Sequence, residues 1–261
     1  MTPVALITGA SAGIGAELAR LFARNGHALV LVARREQRLN ELAAEIAATG
    51  ARKPLVLALD LAAPDAILRI EQALAAHALE PQFIVNNAGF GLVGHAAALS
   101  RAEQLGMIDL NVRALTELSL AFIDSLERHR GGLLNVASVA GFLPGPGSAV
   151  YYAGKAYVLS LTEALHQELS PRGIRVCCLC PGPVATEFQA RAGIAEMAPP
   201  WPLAVSVERV AAAGYRGLMR GKRVVIPGLG NWLVARLVTR ITPRAVLLRL
   251  LDARQSRRRQ P

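Results

Sequence analysis

Val4-Ala5-Leu6-Ile7-Thr8-Gly9-Ala10-Ser11-Ala12-Gly13-Ile14-Gly15 is the stretch that decides the fold. A short apolar run ends in a glycine-spaced turn. An amphipathic segment follows at once, with Ile14, Leu18, Leu21 and Phe22 on one helical face and Asn25-Gly26 as its stop. That order reads as strand, turn, helix. Glycines at such a junction permit a tight turn and let a pyrophosphate approach backbone N–H groups at the positive end of a helix. Gly9, Ser11, Gly13, Ile14 and Gly15 are therefore candidate cofactor contacts. A glycine turn kept for steric reasons alone is the competing reading, and the position between strand and helix favours the nucleotide.

The same alternation continues outward from this unit. Further strands are expected at Ala28–Ala33, Leu55–Leu59, Phe83–Asn86, Leu133–Ala137, Arg175–Leu179 and Arg223–Ile226. Leu39, Leu42 and Ile46 mark one intervening helix, ending near Gly50, and Leu161, Leu165 and Leu169 mark another, ending at Ser170-Pro171. Strands alternating with helices through right-handed crossovers predict an α/β fold: one Rossmann-type, doubly wound parallel sheet of about seven strands, covered on both faces. A catalytic domain over residues 1–228 is expected, with a substrate lid at about 187–205 and a basic extension over 229–261.

Composition bounds the function. Hydrophobic residues make up 52% and aromatics 5%, which suits aliphatic parallel strands under helices. No leader precedes the first strand and no apolar run reaches the ~18 residues of a spanning helix, so a cytoplasmic or peripheral protein is expected. Cys177, Cys178 and Cys180 lie in a strand-like run, where Cys177 and Cys180 point to opposite faces. Buried thiols rather than redox or metal chemistry are expected, and no metal site is assigned. The net charge of +10 resides in the C-terminal part: residues 216–261 hold twelve Arg/Lys against Asp252 alone. That asymmetry bears on partners rather than on fold.

The end of the second strand selects the cofactor. An NAD-selective site places an acid there for the ribose 2′-OH. This chain has Ala33-Arg34-Arg35, and a guanidinium there would bind a 2′-phosphate through charge-assisted hydrogen bonds. NADP(H) is the cofactor expected, with Arg34, Arg35 or both as its contact.

Tyr151 and Lys155 are four residues apart, hence on one helix face. A phenol titrates near ~10 and needs help to act as an acid/base, and a neighbouring ammonium supplies it. Ser138 ends a strand at the carboxyl edge of the sheet, and Asn111 interrupts an apolar helical stretch, where a buried amide needs partners. A helix kinked around a bound water is one way to supply them.

The glycine motif, Asn86-Asn87-Ala88-Gly89, Ser138, Tyr151-x-x-x-Lys155 and Pro181-Gly182-Pro183-Val184-Ala185-Thr186 occur in the order of the short-chain dehydrogenase/reductase family, which the chain resembles over residues 4–227. The resemblance implies that Tyr151 exchanges the substrate proton and Ser138 orients the carbonyl. It implies that Lys155 lowers the Tyr151 pKa and holds the nicotinamide ribose, and that Asn111 anchors a water. Asp60, with Leu61 beside it, should contact adenine, and Asn87, Ala88 and Gly89 should lie along the cofactor. Pro181 and Gly182 should also contact the cofactor, and the backbone near Val184 and the Thr186 hydroxyl should receive the carboxamide. A homodimer or homotetramer through the long helices follows from the same resemblance.

Pocket loops are expected at Phe90–Ala98, Gly141–Val150 and after Thr186. Their apolar residues, Phe90, Leu92, Val93, Phe142, Leu143, Pro144, Phe188, Ile194, Met197 and Trp201, suit a hydrophobic ketone, aldehyde or acyl group. His95 is assigned no role. After Pro227 the chain continues through Trp232, with Arg236, Arg240 and Arg244 four residues apart among aliphatics, to Arg257-Arg258-Arg259. This is the pattern of a helix at an anionic membrane surface. A helix packed on the body or on a partner subunit is the alternative. Nucleic acid is not an expected partner, since the body has no basic stripe and the tail interleaves aliphatics rather than stacking platforms. Two other readings stand beside carbonyl reduction: alcohol oxidation by the same residues, and an idle NADP-binding scaffold.

Overall fold

The computed structural model describes residues 1–188 and 204–257. The segment expected to carry the lid, with Ile194, Met197 and Trp201, falls largely outside them. Seven parallel strands form one sheet: β1 (Thr2–Thr8), β2 (Ala28–Ala33), β3 (Leu55–Ala58), β4 (Leu79–Asn86), β5 (Gly132–Val136), β6 (Arg175–Leu179) and β7 (Val224–Val225), in the order β3-β2-β1-β4-β5-β6-β7. Each strand anticipated from the sequence is present, with ends differing by up to four residues. The largest change is in β4, which extends back to Leu79 beside the start of β1, where Thr2 pairs with it.

The strand interiors are mostly apolar on both sides because helices cover both faces. Ala5, Ile7, Leu29, Leu31 and Val85 pack against Leu18 and Phe22 of α1 (Gly13–Arg24), Leu39 and Leu42 of α2 (Glu36–Ala48), and Val210 and Leu218 of α8 (Val207–Met219). Their sequence neighbours Val4, Leu6, Val30, Val32 and Ile84 point the other way. There they meet Ile70 of α3 (Ala66–Ala76), Leu118 of α5 (Leu115–Ala121) and Leu165 of α7 (Ala149–Leu169). The cysteines follow the same rule. Cys177 belongs to the first face, while the Cys178 and Cys180 sulfurs lie 3.6 Å apart on the second. All three are buried, and burial pushes the Cys177 thiol up to about 12.

The Asn111 stretch is not a regular helix. α4 (Arg101–Ile108) passes through a π-helical segment, Asp109–Ala114, into α5, and α6 (Ile123–Arg128) follows. Beyond β7 the chain is helical again: α9 (Leu229–Leu233), a π-helical turn Val234–Val238, α10 (Thr239–Ile241) and α11 (Arg244–Arg257). Thr242-Pro243 separates the last two, as expected where a proline excludes helical geometry from the residue before it. Among the described residues no helix is long and apolar enough to cross a membrane.

Candidate active site

The chain order reverses between β1 and β4, and there, beyond the carboxyl ends of the strands, a cleft of about 950 Å³ opens. Its floor at one end is the glycine turn. Gly9 and Gly13 hold φ of +64° and +55°, which a side chain would strain. Ala12 starts α1 in an extended conformation without a side-chain cap, so the first N–H groups of the helix remain available to an anion. Thr8 ties the turn down: its hydroxyl accepts from the Asn87 and Ala88 amides, both at 3.0 Å, and donates to the Val85 carbonyl. Asn87 donates its side-chain amide to the Thr8 carbonyl at 3.0 Å.

Arg34 and Arg35 stand at the rim beside this turn. The Arg35 guanidinium donates to the Ser11 hydroxyl at 3.2 Å and pairs with Glu187 at 2.7 Å, while Arg34 lies 3.9 Å from Asp60. Both arginines are about half exposed, so these pairs are weak in water and open to exchange for an incoming anion. Asp60 also accepts from the Ala62 amide, which holds the loop after β3.

At the other end, α7 presents Tyr151 and Lys155 one turn apart. Burial pushes the Tyr151 phenol up to about 12, with the Ser138 hydroxyl acting in the lowering direction. Lys155 is 5% exposed and donates to the Val136 carbonyl at 2.8 Å. Its burial drives it down to about 8. Its Nζ stands 5.9 Å from the centre of the Tyr151 ring. Burial is the main cause of the phenol's rise, and the lowering by Lys155 that the family resemblance implies is not among the influences on it. Ser138 is held by the end of β5, its hydroxyl accepting from the Ala140 amide at 3.1 Å. Asn111 is 1% exposed and clamps Phe90, accepting from its amide at 3.1 Å and donating to its carbonyl at 2.8 Å. A side chain on Gly89 would meet Asn111 Oδ1 at 2.8 Å and Lys155 Nζ at 3.8 Å, so all three groups converge on one point.

Beneath them lies a polar ladder that the sequence reading did not identify. Asn86 donates to Asn135 Oδ1 and to the Ser119 hydroxyl, both at 2.9 Å, and Asn135 donates to Thr162 at 3.1 Å. It joins β4, β5, α5 and α7 under the site. An asparagine near the carboxyl end of each of two neighbouring strands was its available signal, but only strand register sets Asn86 opposite Asn135.

Of the residues expected in the site, Gly9, Ser11, Gly13, Ile14, Arg34, Arg35, Asp60, Leu61, Asn87, Ala88, Gly89, Ser138, Tyr151, Lys155, Pro181, Gly182, Val184 and Thr186 all line the cleft. Gly15 and Asn111 do not. Gly15 is a packing glycine, since a side chain there would overlap the Asn87 amide and the Gly9 carbonyl. Leu143 and Phe188 of the anticipated apolar residues line it, whereas Leu92, Val93 and Phe142 do not. Glu187, Tyr152, Asn231, Val234, Val238, Leu247 and Leu251 line it without having been anticipated.

A parallel sheet that opens at its carboxyl edge onto a glycine turn, with a phenol and an ammonium from one helix facing the opening, is the architecture of nicotinamide-nucleotide oxidoreductases. Comparison with known proteins narrows that class: the short chain dehydrogenase pattern matches residues 3–196, and the chain belongs to that family. It is 37% identical to sulfoacetaldehyde reductase 2 of Chromohalobacter salexigens over 72% of this chain and 75% of that protein. It is 35% identical to an NADP-dependent 3-hydroxy acid dehydrogenase of Salmonella typhi over the same shares. A short-chain dehydrogenase from Sphingobium yanoikuyae, solved in complex with NADPH, is 36% identical and superposes with a TM-score of 0.79, covering 97% of this chain and 94% of that one. The chain is thus an NAD(P)-dependent oxidoreductase of carbonyl and alcohol groups.

Proposed function

We propose that this enzyme reduces a hydrophobic carbonyl compound with NADPH, using Tyr151 as the proton donor. The observation that carries the reading is one cleft with Arg34 and Arg35 at one end and Ser138, Tyr151 and Lys155 at the other. The glycine turn, its uncapped helix and the Arg35–Ser11 pair fit a pyrophosphate and a 2′-phosphate. Gly9, Ser11, Gly13 and Ile14 would hold the pyrophosphate, and Arg34 and Arg35 the 2′-phosphate. Asp60 and Leu61 would flank the adenine. Asn87, Ala88 and Gly89, with Pro181, Gly182, Val184 and Thr186, would line the path to the nicotinamide. When bound, the nicotinamide supplies the hydride.

The remaining work belongs to side chains. Ser138 and Tyr151 offer two hydroxyl donors to the carbonyl oxygen, where negative charge develops. A phenol held protonated by burial is suited to give its proton to that oxygen. Lys155 supplies positive charge beside it, and Asn111 fixes the Phe90 backbone at the edge of the site. The direct test is NADPH oxidation against 3-oxoacyl thioesters, aldehydes and aromatic ketones, repeated with NADH. Turnover with NADPH favoured at least tenfold is expected. Equal use of NADH would remove the cofactor assignment, and no turnover with any carbonyl or the matching alcohols would leave the idle-scaffold reading.

A second reading concerns the surface. Leu229, Trp232, Leu237, Ile241 and Leu250 are exposed on the C-terminal helices, among the exposed Arg240, Arg244 and Arg249. This combination favours attachment to anionic lipid. Sedimentation with anionic but not neutral vesicles is expected, and equal recovery in the supernatant with both would remove it. Leu105 and Ile108 of α4, Leu120 of α5 and Tyr157 of α7 are exposed on another face and support self-association through the long helices.

A further inference from the structure

We propose that the C-terminal helices form the substrate-selecting wall of the cleft, with Val234, Val238, Leu247 and Leu251 receiving the hydrocarbon part of an uncharged carbonyl substrate. The inference rests on the carbonyl-reductase reading and assigns to that site residues that neither the glycine turn nor the Tyr151 cluster supplies.

All four side chains line the same cleft as Tyr151, Ser138 and Leu143. Val234 and Val238 bound the π-helical turn. The two are about one turn apart on the same side of the segment, and both line the cleft. The segment is seated at several points. Asn231 is 1% exposed and donates to the Pro227 carbonyl at 2.8 Å. Its amide fills the space that a side chain on Gly182 would need, which joins the segment to the loop after β6. Ala235 is buried, and the Arg236 guanidinium lies 5.8 Å from the centre of the Phe142 ring. In α11, Leu247 is 8% exposed while its neighbours Val246 and Leu248 are exposed, so the helix is held to the body by its cleft-facing side.

Charge is distributed accordingly. Among the described residues the charged groups lining the cleft are Arg34, Arg35, Asp60 and Glu187 at the nucleotide end, and Lys155 beside Tyr151. The wall itself is aliphatic. It rewards apolar area, and each methylene it covers should raise kcat/KM by roughly fourfold.

The test uses the full-length protein, NADPH and a series of n-alkanals and methyl ketones of increasing length. Val238→Phe, which fills the wall, should lower kcat/KM for the longest substrates at least tenfold through KM. It should leave the shortest within twofold and NADPH affinity unchanged. The paired Leu247→Ala/Leu251→Ala variant should flatten the gain per methylene. Calorimetric titration of 1-alkanols onto the NADPH-loaded enzyme, where alcohol and reduced cofactor cannot exchange hydride, reads the same wall without turnover, so a wild type inactive on carbonyls would sink the reductase reading while leaving the wall tested. If both variants stay folded by circular dichroism and retain the wild-type length dependence in both readouts, the proposal is overturned.

Discussion

Tyr151 and Lys155 carry shifts of opposite sense from one cause, burial, because desolvation disfavours the charged form of each. The consequences for stability follow from proton counts. Between pH 8 and 10.5 the unfolded chain still binds a proton on Lys155 that the native chain has released, so this residue raises stability as pH climbs through that window. Between pH 10 and 12 the native chain keeps the Tyr151 proton that the unfolded chain has lost, so stability falls there. For activity, loss of the Lys155 charge sets an alkaline limb in the reductive kcat near pH 8, and Lys155→Arg should move it beyond the accessible range. A pH–rate profile of both proteins checks this, and a limb unmoved by the substitution would assign it to another group. Tyr151→Phe should leave NADPH binding intact while lowering kcat by ~10²-fold or more, the contribution expected of a positioned proton donor. Retained turnover would transfer the proton to another residue.

At the level of elements, α7 is positioned by more than its apolar face. Thr162 accepts from Asn135 on β5 and donates to the Val158 carbonyl, three turns below Tyr151. Thr162→Val keeps the shape but leaves the buried Asn135 amide short of a partner, which costs about 1–3 kcal/mol. Urea denaturation should register that loss, with kcat falling less than in Tyr151→Phe. A midpoint equal to wild type would mean that Asn135 finds another acceptor. The π-helical segment at Asp109–Ala114 is positional too: it lies between α4 and α5 where Asn111 reaches the Phe90 backbone.

The whole molecule presents two apolar surfaces of different character. Leu105, Ile108 and Leu120 of α4 and α5 stand among charges of both signs, with Arg113 paired to Asp109 and Glu117, whereas the C-terminal helices mix theirs chiefly with arginine. Self-association through the first predicts that Leu120→Arg lowers the mass found by light scattering, with the melting temperature falling alongside as the interface is lost. An unchanged mass would move the interface elsewhere. Among the described residues, side chains of the C-terminal helices line the cleft and Asn231 abuts Gly182.

The sequence by itself determined the sheet, its seven strands, the glycine turn at one end of the cleft and the grouping of Tyr151 with Lys155, because each is written in short-range spacing: short apolar runs, a glycine turn at a strand–helix junction, two residues one helical turn apart. Only the tertiary structure decided what depends on distant segments meeting. The Arg35–Glu187 pair, the Asn86–Asn135–Thr162 ladder and the packing role of Gly15 are set by strand order and register, which local periodicity does not encode. The C-terminal stretch shows the division most plainly. Its arginine spacing reads as a membrane-surface helix or one packed on the body, whereas the side chains that line the cleft, Val234 and Val238 among them, depend on where β7 delivers the chain.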